Sequence, residues 1–259
     1  MKSNNLRNIL AQARNPGRFA VMSKKVLKRF LDHSGKHTQQ ENIAWLKSCC
    51  SSFEELAASL DPALSKEAKQ AAEELEQHAQ KILNNIEFDL GGGGGYPFLY
   101  FITRYLKPDT VIETGVAAGF SSYAFLSAIA INQKGTLYSS DFPYFRLPEP
   151  ERYIGIVVKE SLKRNWNLYL EGDEANLPKI LQKIDNIDLF HYDSDKSYSG
   201  RELAMAKVKT RMNNKGVILM DDIQDNSYFY DYVENEKPES WYVFEFEGKY
   251  IGMIGTITN

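Results

Sequence analysis

Thr110-Val111-Ile112-Glu113-Thr114-Gly115-Val116-Ala117-Ala118-Gly119-Phe120-Ser121-Ser122 decides the fold of this 259-residue chain. Its β-branched, apolar opening reads as a buried strand, and an apolar helical pattern from Tyr123 to Ile131 follows the two glycines at once. Strand, tight turn and helix start make the first unit of a doubly wound sheet, the usual place for a nucleotide-like ligand. Gly115 lets the chain turn sharply off the strand with φ > 0, and Gly119 lets the helix start come close to a ligand. Dinucleotide sites carry G-x-G-x-x-G here, because a pyrophosphate needs a glycine-lined helix N-terminus. This chain has G-x-x-x-G behind an acid, Glu113, which favours a ligand with a cation and a ribose over a diphosphate.

Further units follow downstream. Gly135 to Ser140 reads as a second strand ending at Asp141, an acid placed to accept hydrogen bonds from ribose hydroxyls; the plainer role is a turn or helix cap. Phe142, Tyr144, Phe145 and prolines 143, 148 and 150 make a stiff aromatic loop, suited to a lid or to a packed insertion. Trp166 to Leu170 is a third strand, followed by Gly172-Asp173 and a helix starting near Asn176. Ile187 to Tyr192 is the fourth, running into Asp193-Ser194-Asp195-Lys196-Ser197-Tyr198, with a helix from Ser199 to Met212. Gly216 to Met220 is the fifth and ends in Asp221-Asp222. Trp241 to Thr258 alternates around Glu247-Gly248 as a β-hairpin.

Asp193, Asp221 and Asp222 thus stand at the carboxyl ends of consecutive strands, where a parallel sheet forms its ligand crevice. Converging carboxylates repel unless a charge cancels them. A divalent cation does so, and an all-oxygen donor set favours Mg²⁺ over zinc. The alternative leaves Asp222 and Asp225 as caps of the next helix and Asp193 as a strand end without metal.

Upstream, Asn42 to Leu60 and Ser65 to Ile86 read as two helices, the second capped by Ser65 with a stripe of Leu75, Ala79, Ile82 and Leu83. The run Gly91 to Gly95 then divides an N-terminal helical extension, residues 1–90, from a catalytic domain, residues 91–259. It is either a plain linker or a segment whose amides approach a ligand carboxylate. Tyr96 to Leu106 is the helix leading into the sheet.

The formal net charge of −3 excludes a bulk nucleic-acid binder. No apolar run is long enough to span a bilayer and no signal sequence follows Met1. Cys49 and Cys50 are adjacent, offer no disulfide framework and point to a reducing, cytoplasmic compartment. From Met1 to Gln40 nine Lys or Arg face one acid, Asp32. Ala20 to Leu31 is an amphipathic basic helix, which would pack on its own domain, on a second subunit in a homo-oligomer, or on an anionic surface.

The motif Glu113-x-Gly115-x-x-x-Gly119 resembles the first motif of the class I S-adenosylmethionine-dependent methyltransferases. Their fold is α/β: a doubly wound, mostly parallel seven-stranded sheet ending in an antiparallel hairpin. The resemblance implies S-adenosylmethionine as cofactor, contacted by Gly95, Glu113, Gly115, Gly119, Ser121, Asp141, Asp173 and Asp193. Asp193-Ser194-Asp195-Lys196-Ser197-Tyr198 looks like the corresponding stretch of the caffeoyl-coenzyme-A O-methyltransferases, and less closely that of catechol O-methyltransferase. Asp221-Asp222 is similar to the pair in macrocin-type sugar O-methyltransferases. These likenesses imply a metal held by Asp193, Asp221 and Asp222, a base at Lys196 or Asp195, and methyl transfer to a hydroxyl of a small phenolic, sugar or natural-product acceptor. Lys196 serves as a base only with a depressed pKa. The rivals are an NAD(P)-dependent oxidoreductase, which lacks its diphosphate loop here, a metal-independent methyltransferase, and a non-catalytic binding protein. A hydrolase is disfavoured because no G-x-S-x-G is present and no His follows His191.

Overall fold

A computed structural model describes residues 19, 21–23, 32, 35–144 and 146–257; most of the basic helix expected over Ala20 to Leu31, and Phe145 of the aromatic loop, lie outside them. The frame is one eight-stranded sheet. In chain order its strands are β1 (Cys50–Ser51), β2 (Thr110–Thr114), β3 (Thr136–Ser140), β4 (Trp166–Tyr169), β5 (Ile187–Tyr192), β6 (Met212–Met220), β7 (Trp241–Phe246) and β8 (Lys249–Ile254). They lie in the order β1-β7-β8-β6-β5-β2-β3-β4. β8 runs antiparallel to both neighbours, and every other pairing is parallel. The expected doubly wound sheet with a terminal antiparallel hairpin is present, with one strand more than expected. The extra strand is the two-residue β1, a short edge strand that caps β7.

Central strands have no solvent face, so both sides of the pleat are apolar. Val111, Leu189, Val217 and Leu219 enter one core cluster, whereas Ile112, Phe190, Ile218 and Met220 enter the other. The first cluster is closed by α2 (Phe53–Leu60), α3 (Pro62–Leu83), α4 (Tyr96–Leu106) and α5 (Phe120–Asn132). The second is closed by α1 (Gln39–Cys49), α6 (Asp173–Leu181), α7 (Tyr198–Val208) and α8 (Tyr228–Glu236). The described helices before the glycine run therefore share the cores of the sheet.

Several expected boundaries are corrected. The segment Asn42 to Leu60 is two helices, because Cys50-Ser51 pairs with the edge of β7 and breaks the helical ladder there. α3 starts three residues before Ser65: Asp61 caps it by accepting from Leu64 N at 2.9 Å, with Pro62 at the first helical position, where its missing N–H costs nothing. α6 begins at Asp173 rather than near Asn176, with Gly172 at the cap position, where no side chain bonds to the first turn. The fifth parallel strand extends back to Met212 through an irregular register against β5, shortening the helix before it. All these adjustments leave the carboxyl ends of β2, β3, β5 and β6 at one edge of the sheet.

Candidate active site

A cavity of about 460 Å³ opens at that edge, lined among others by Gly115, Ala117, Asp141, Phe142, Tyr144, Asp173, Tyr192, Asp193 and Asp195. Among the described residues its wall carries Asp141, Glu171, Asp173, Glu174, Asp193 and Asp195 against a single lysine, Lys207. Such a lining attracts a cationic ligand and repels a diphosphate. Gly115 has φ 84°, and a Cβ there would overlap the Asp193 carbonyl, so only glycine lets the turn pass across the tip of β5.

Asp141 ties that turn to β3. Its Oδ2 accepts from Val116 N at 3.0 Å and Ala117 N at 2.8 Å, and its Oδ1 from Phe142 N at 2.6 Å. Burial raises its pKa against these amides, and the charge of Asp173 adds to the rise. Asp173 accepts from Ser140 Oγ at 2.6 Å and also from Ser194 Oγ, joining the tips of β3 and β5.

Glu113 points into the protein. It is fully buried in β2 and accepts from Ser121 Oγ, from Ser122 Oγ at 2.6 Å and from Ser139 Oγ at 2.7 Å. Burial pushes its pKa up to about 7 against those three hydroxyls, with Asp141 adding to the rise. Glu113 and Ser121 clamp the start of α5 onto β2 and β3 and do not line the cavity.

Asp193, Asp221 and Asp222 come together as the sequence implied, with one oxygen of each within 4.8 Å of the others. Lys196 Nζ bonds to an Asp193 oxygen and lies 2.8 Å from Asp222 Oδ2, while Lys249 Nζ is 3.3 Å from Asp222 Oδ1. Burial opposes the charge on Asp222, but Lys196, Gln224 and Lys249 outweigh it and hold its carboxyl at about 2. Asp221 is pushed up by burial and by the charge of Asp193, and among the described residues its buried Oδ1 has no hydrogen-bond partner. A buried carboxyl with an unpartnered oxygen, set beside two more carboxylates, is a donor set that suits a hard divalent cation.

Gly94 lies directly on this trio, since a Cβ there would overlap the Asp221 carboxylate. The glycine run thus approaches the acids rather than the cavity. Gly95 caps α4 in a left-handed conformation, packs on Ile251 and does not line the cavity.

Residues 112–223 match a family model described as a methyltransferase domain. The chain carries a methyltransferase domain. Solved structures agree on the fold. An O-methyltransferase from Bacillus cereus in complex with SAH aligns with a TM-score of 0.53 at 15% identity, over 72% of this chain and 91% of that one. The SAH-bound Podospora anserina methyltransferase PaMTH1 aligns with a TM-score of 0.55 at 13% identity, over 80% and 97%. The O-methyltransferase TomG of Streptomyces achromogenes, involved in tomaymycin synthesis and solved with SAM, gives 0.52 at 14% identity, over 80% and 100%. No curated protein matches the sequence. Among the described residues no helix is long and apolar enough to cross a membrane.

Of the residues expected at the site, Gly115, Asp141, Asp173, Asp193 and Asp195 line the cavity, whereas Gly95, Glu113, Gly119 and Ser121 do not. Of the two expected bases, Asp195 turns to its own loop and accepts from Ser197 N at 3.1 Å and Ser197 Oγ at 2.7 Å. Lys196 reaches the acids but lacks the depressed pKa a base needs. Burial works to lower it, yet Asp193, Asp222 and Asp221 outweigh burial and raise it above the ordinary lysine value. Arg201, Lys249 and Gly94 escaped sequence reading. Gly94 at least sat inside a run already marked as close-approach chain, but nothing distinguishes one Arg in a helix from a solvated one.

Proposed function

We propose that this chain is an S-adenosylmethionine-dependent O-methyltransferase that uses a divalent cation, Mg²⁺ by donor type, to methylate a hydroxyl of a small molecule. The observation that carries it is the trio Asp193, Asp221 and Asp222 converging beside the acid-lined cavity of the glycine turn. S-adenosylmethionine supplies an electrophilic methyl, and the cation supplies the Lewis acidity that lowers the pKa of an acceptor hydroxyl. The protein's part is positional. Gly115, Asp141 and Asp173 shape the cofactor cavity, and Phe142 and Tyr144 give it an apolar wall. Asp193, Asp221 and Asp222 would hold the cation through one oxygen each. Lys196 is the base candidate whose polar atom faces the trio, and the acids now fix its proton; pairing those acids elsewhere is the condition for its amine to accept one.

A second arrangement has a specific observation behind it. Lys196 and Lys249 already supply positive charge at Asp193 and Asp222, as a metal-independent methyltransferase would require. Methyl transfer to a panel of vicinal diols, phenols and sugars, with and without EDTA, separates the two. Loss of activity in EDTA with recovery on added Mg²⁺ supports the cation, and an unchanged rate refutes it.

A further inference from the structure

The fully buried Arg201 takes no part in the cavity, and its place in the fold demands a reason. It stands in the first turn of α7. Its Nη1 donates to the Asp221 carbonyl at 3.0 Å and its Nη2 to the Asp222 carbonyl at 2.9 Å. The guanidinium carbon lies 5.7 Å from the centre of the Tyr192 ring, and Nε has no hydrogen-bond partner among the described residues. Taking a guanidinium wholly out of water is expensive, and two main-chain carbonyls are poor compensation for it unless their position matters.

Their position matters because of strand geometry. Asp221 still belongs to the ladder, its N–H donating to the Tyr192 carbonyl at 2.9 Å. In an extended chain the next side chain would point to the opposite face of the sheet, and one of the two acids would leave the site. Asp222 instead adopts φ 51°, in the left-handed region that residues other than Gly, Asn and Asp seldom occupy. That rotation brings both carboxylates to the same side as Asp193, within 4.8 Å. The planar fork of Arg201 spans the two carbonyls on either side of the rotated residue.

We infer that Arg201 is a positioning residue: it fixes the left-handed turn at Asp222 and thereby assembles the cation site of Asp193, Asp221 and Asp222. The inference rests on the cation proposed above, so its test reads binding and geometry instead of turnover.

Arg201→Lys keeps the charge and loses the fork that reaches both carbonyls. Mn²⁺ and SAH affinities are measured calorimetrically on the full chain. The dissociation constant for Mn²⁺ is expected to rise at least fivefold while that for SAH stays within threefold, because Arg201 does not line the cavity. A smaller rise, or an equal loss of both affinities, overturns the assignment. If the unsubstituted protein binds no Mn²⁺, the cation falls by itself, and Arg201 is judged from the crystal structure of the variant. Asp222 leaving the left-handed region, with its carboxylate leaving the trio, supports the positioning role; an unchanged turn refutes it. Arg201→Gln, which keeps an amide donor without charge, replaces the lysine variant in both measurements if that one fails to fold.

Discussion

Replacing Glu113 by Gln tests whether the acid of the glycine motif serves the fold or the ligand. The carboxyl has no solvent exposure and three hydroxyl donors, and its pKa is pushed from 4.5 up to about 7. Below pH 4.5 the group is protonated in both folded and unfolded chains and adds nothing to pH dependence. Between 4.5 and about 7 the unfolded chain sheds the proton first, so the folded chain binds more protons and stability falls as pH rises. Above that window both forms are ionised and the full penalty is in place, roughly 3 kcal/mol at about 1.4 kcal/mol per pKa unit. Glutamine keeps an oxygen for Ser122 and Ser139 and carries no charge, so the penalty disappears. Urea unfolding of both proteins from pH 4.5 to 8 measures it, and the titrating groups that do not interact with Glu113 cancel in the difference between them. Relative to the natural protein, Glu113→Gln should gain roughly 3 kcal/mol across the window, whatever its offset at low pH. A flat difference, or one of opposite sign, would refute the buried, proton-holding role.

Other perturbations separate the cavity from the acids. Asp193→Ala should lower methyl transfer about 100-fold or more, the scale of losing one electrostatic stabiliser in a shielded site, while calorimetry finds SAH affinity little changed; retained turnover would remove Asp193 from the chemistry. Asp141→Ala frees the amides of Val116 and Ala117 and should weaken SAH binding about tenfold, or about 1.4 kcal/mol. Unchanged affinity would leave Asp141 as a loop tie alone.

Much of the frame was legible because it depends on local pattern. Thr110 to Thr114 is β-branched and apolar, glycine follows where the chain must turn, and β5 and β6 each run directly into acids at the sheet edge. The acid trio could be read for that reason. What stayed hidden depends on which side chains the fold brings together. Glu113 resembles a ligand-facing acid until Ser121, Ser122 and Ser139 close over it. Asp195 and Lys196 are equivalent as letters, but one bends to Ser197 and the other is held as an ammonium by its neighbours. The break at Cys50-Ser51 is imposed by the exposed edge of β7, a strand almost two hundred residues away. By contrast, the start of α3 was within reach, since Asp61-Pro62 is itself a cap followed by a first-turn proline.

The place of β8 governs how late the molecule becomes functional. β8, the last of the described strands, slots between β6 and β7, so those two cannot be joined in the sheet before its residues leave the ribosome. Lys249, which touches Asp222, and Tyr250, whose carbonyl receives the Ile223 amide, both lie on that strand. Every parallel unit around the glycine turn can be synthesised and packed first. The acid centre is finished only when β8, the last of the described strands, takes its place.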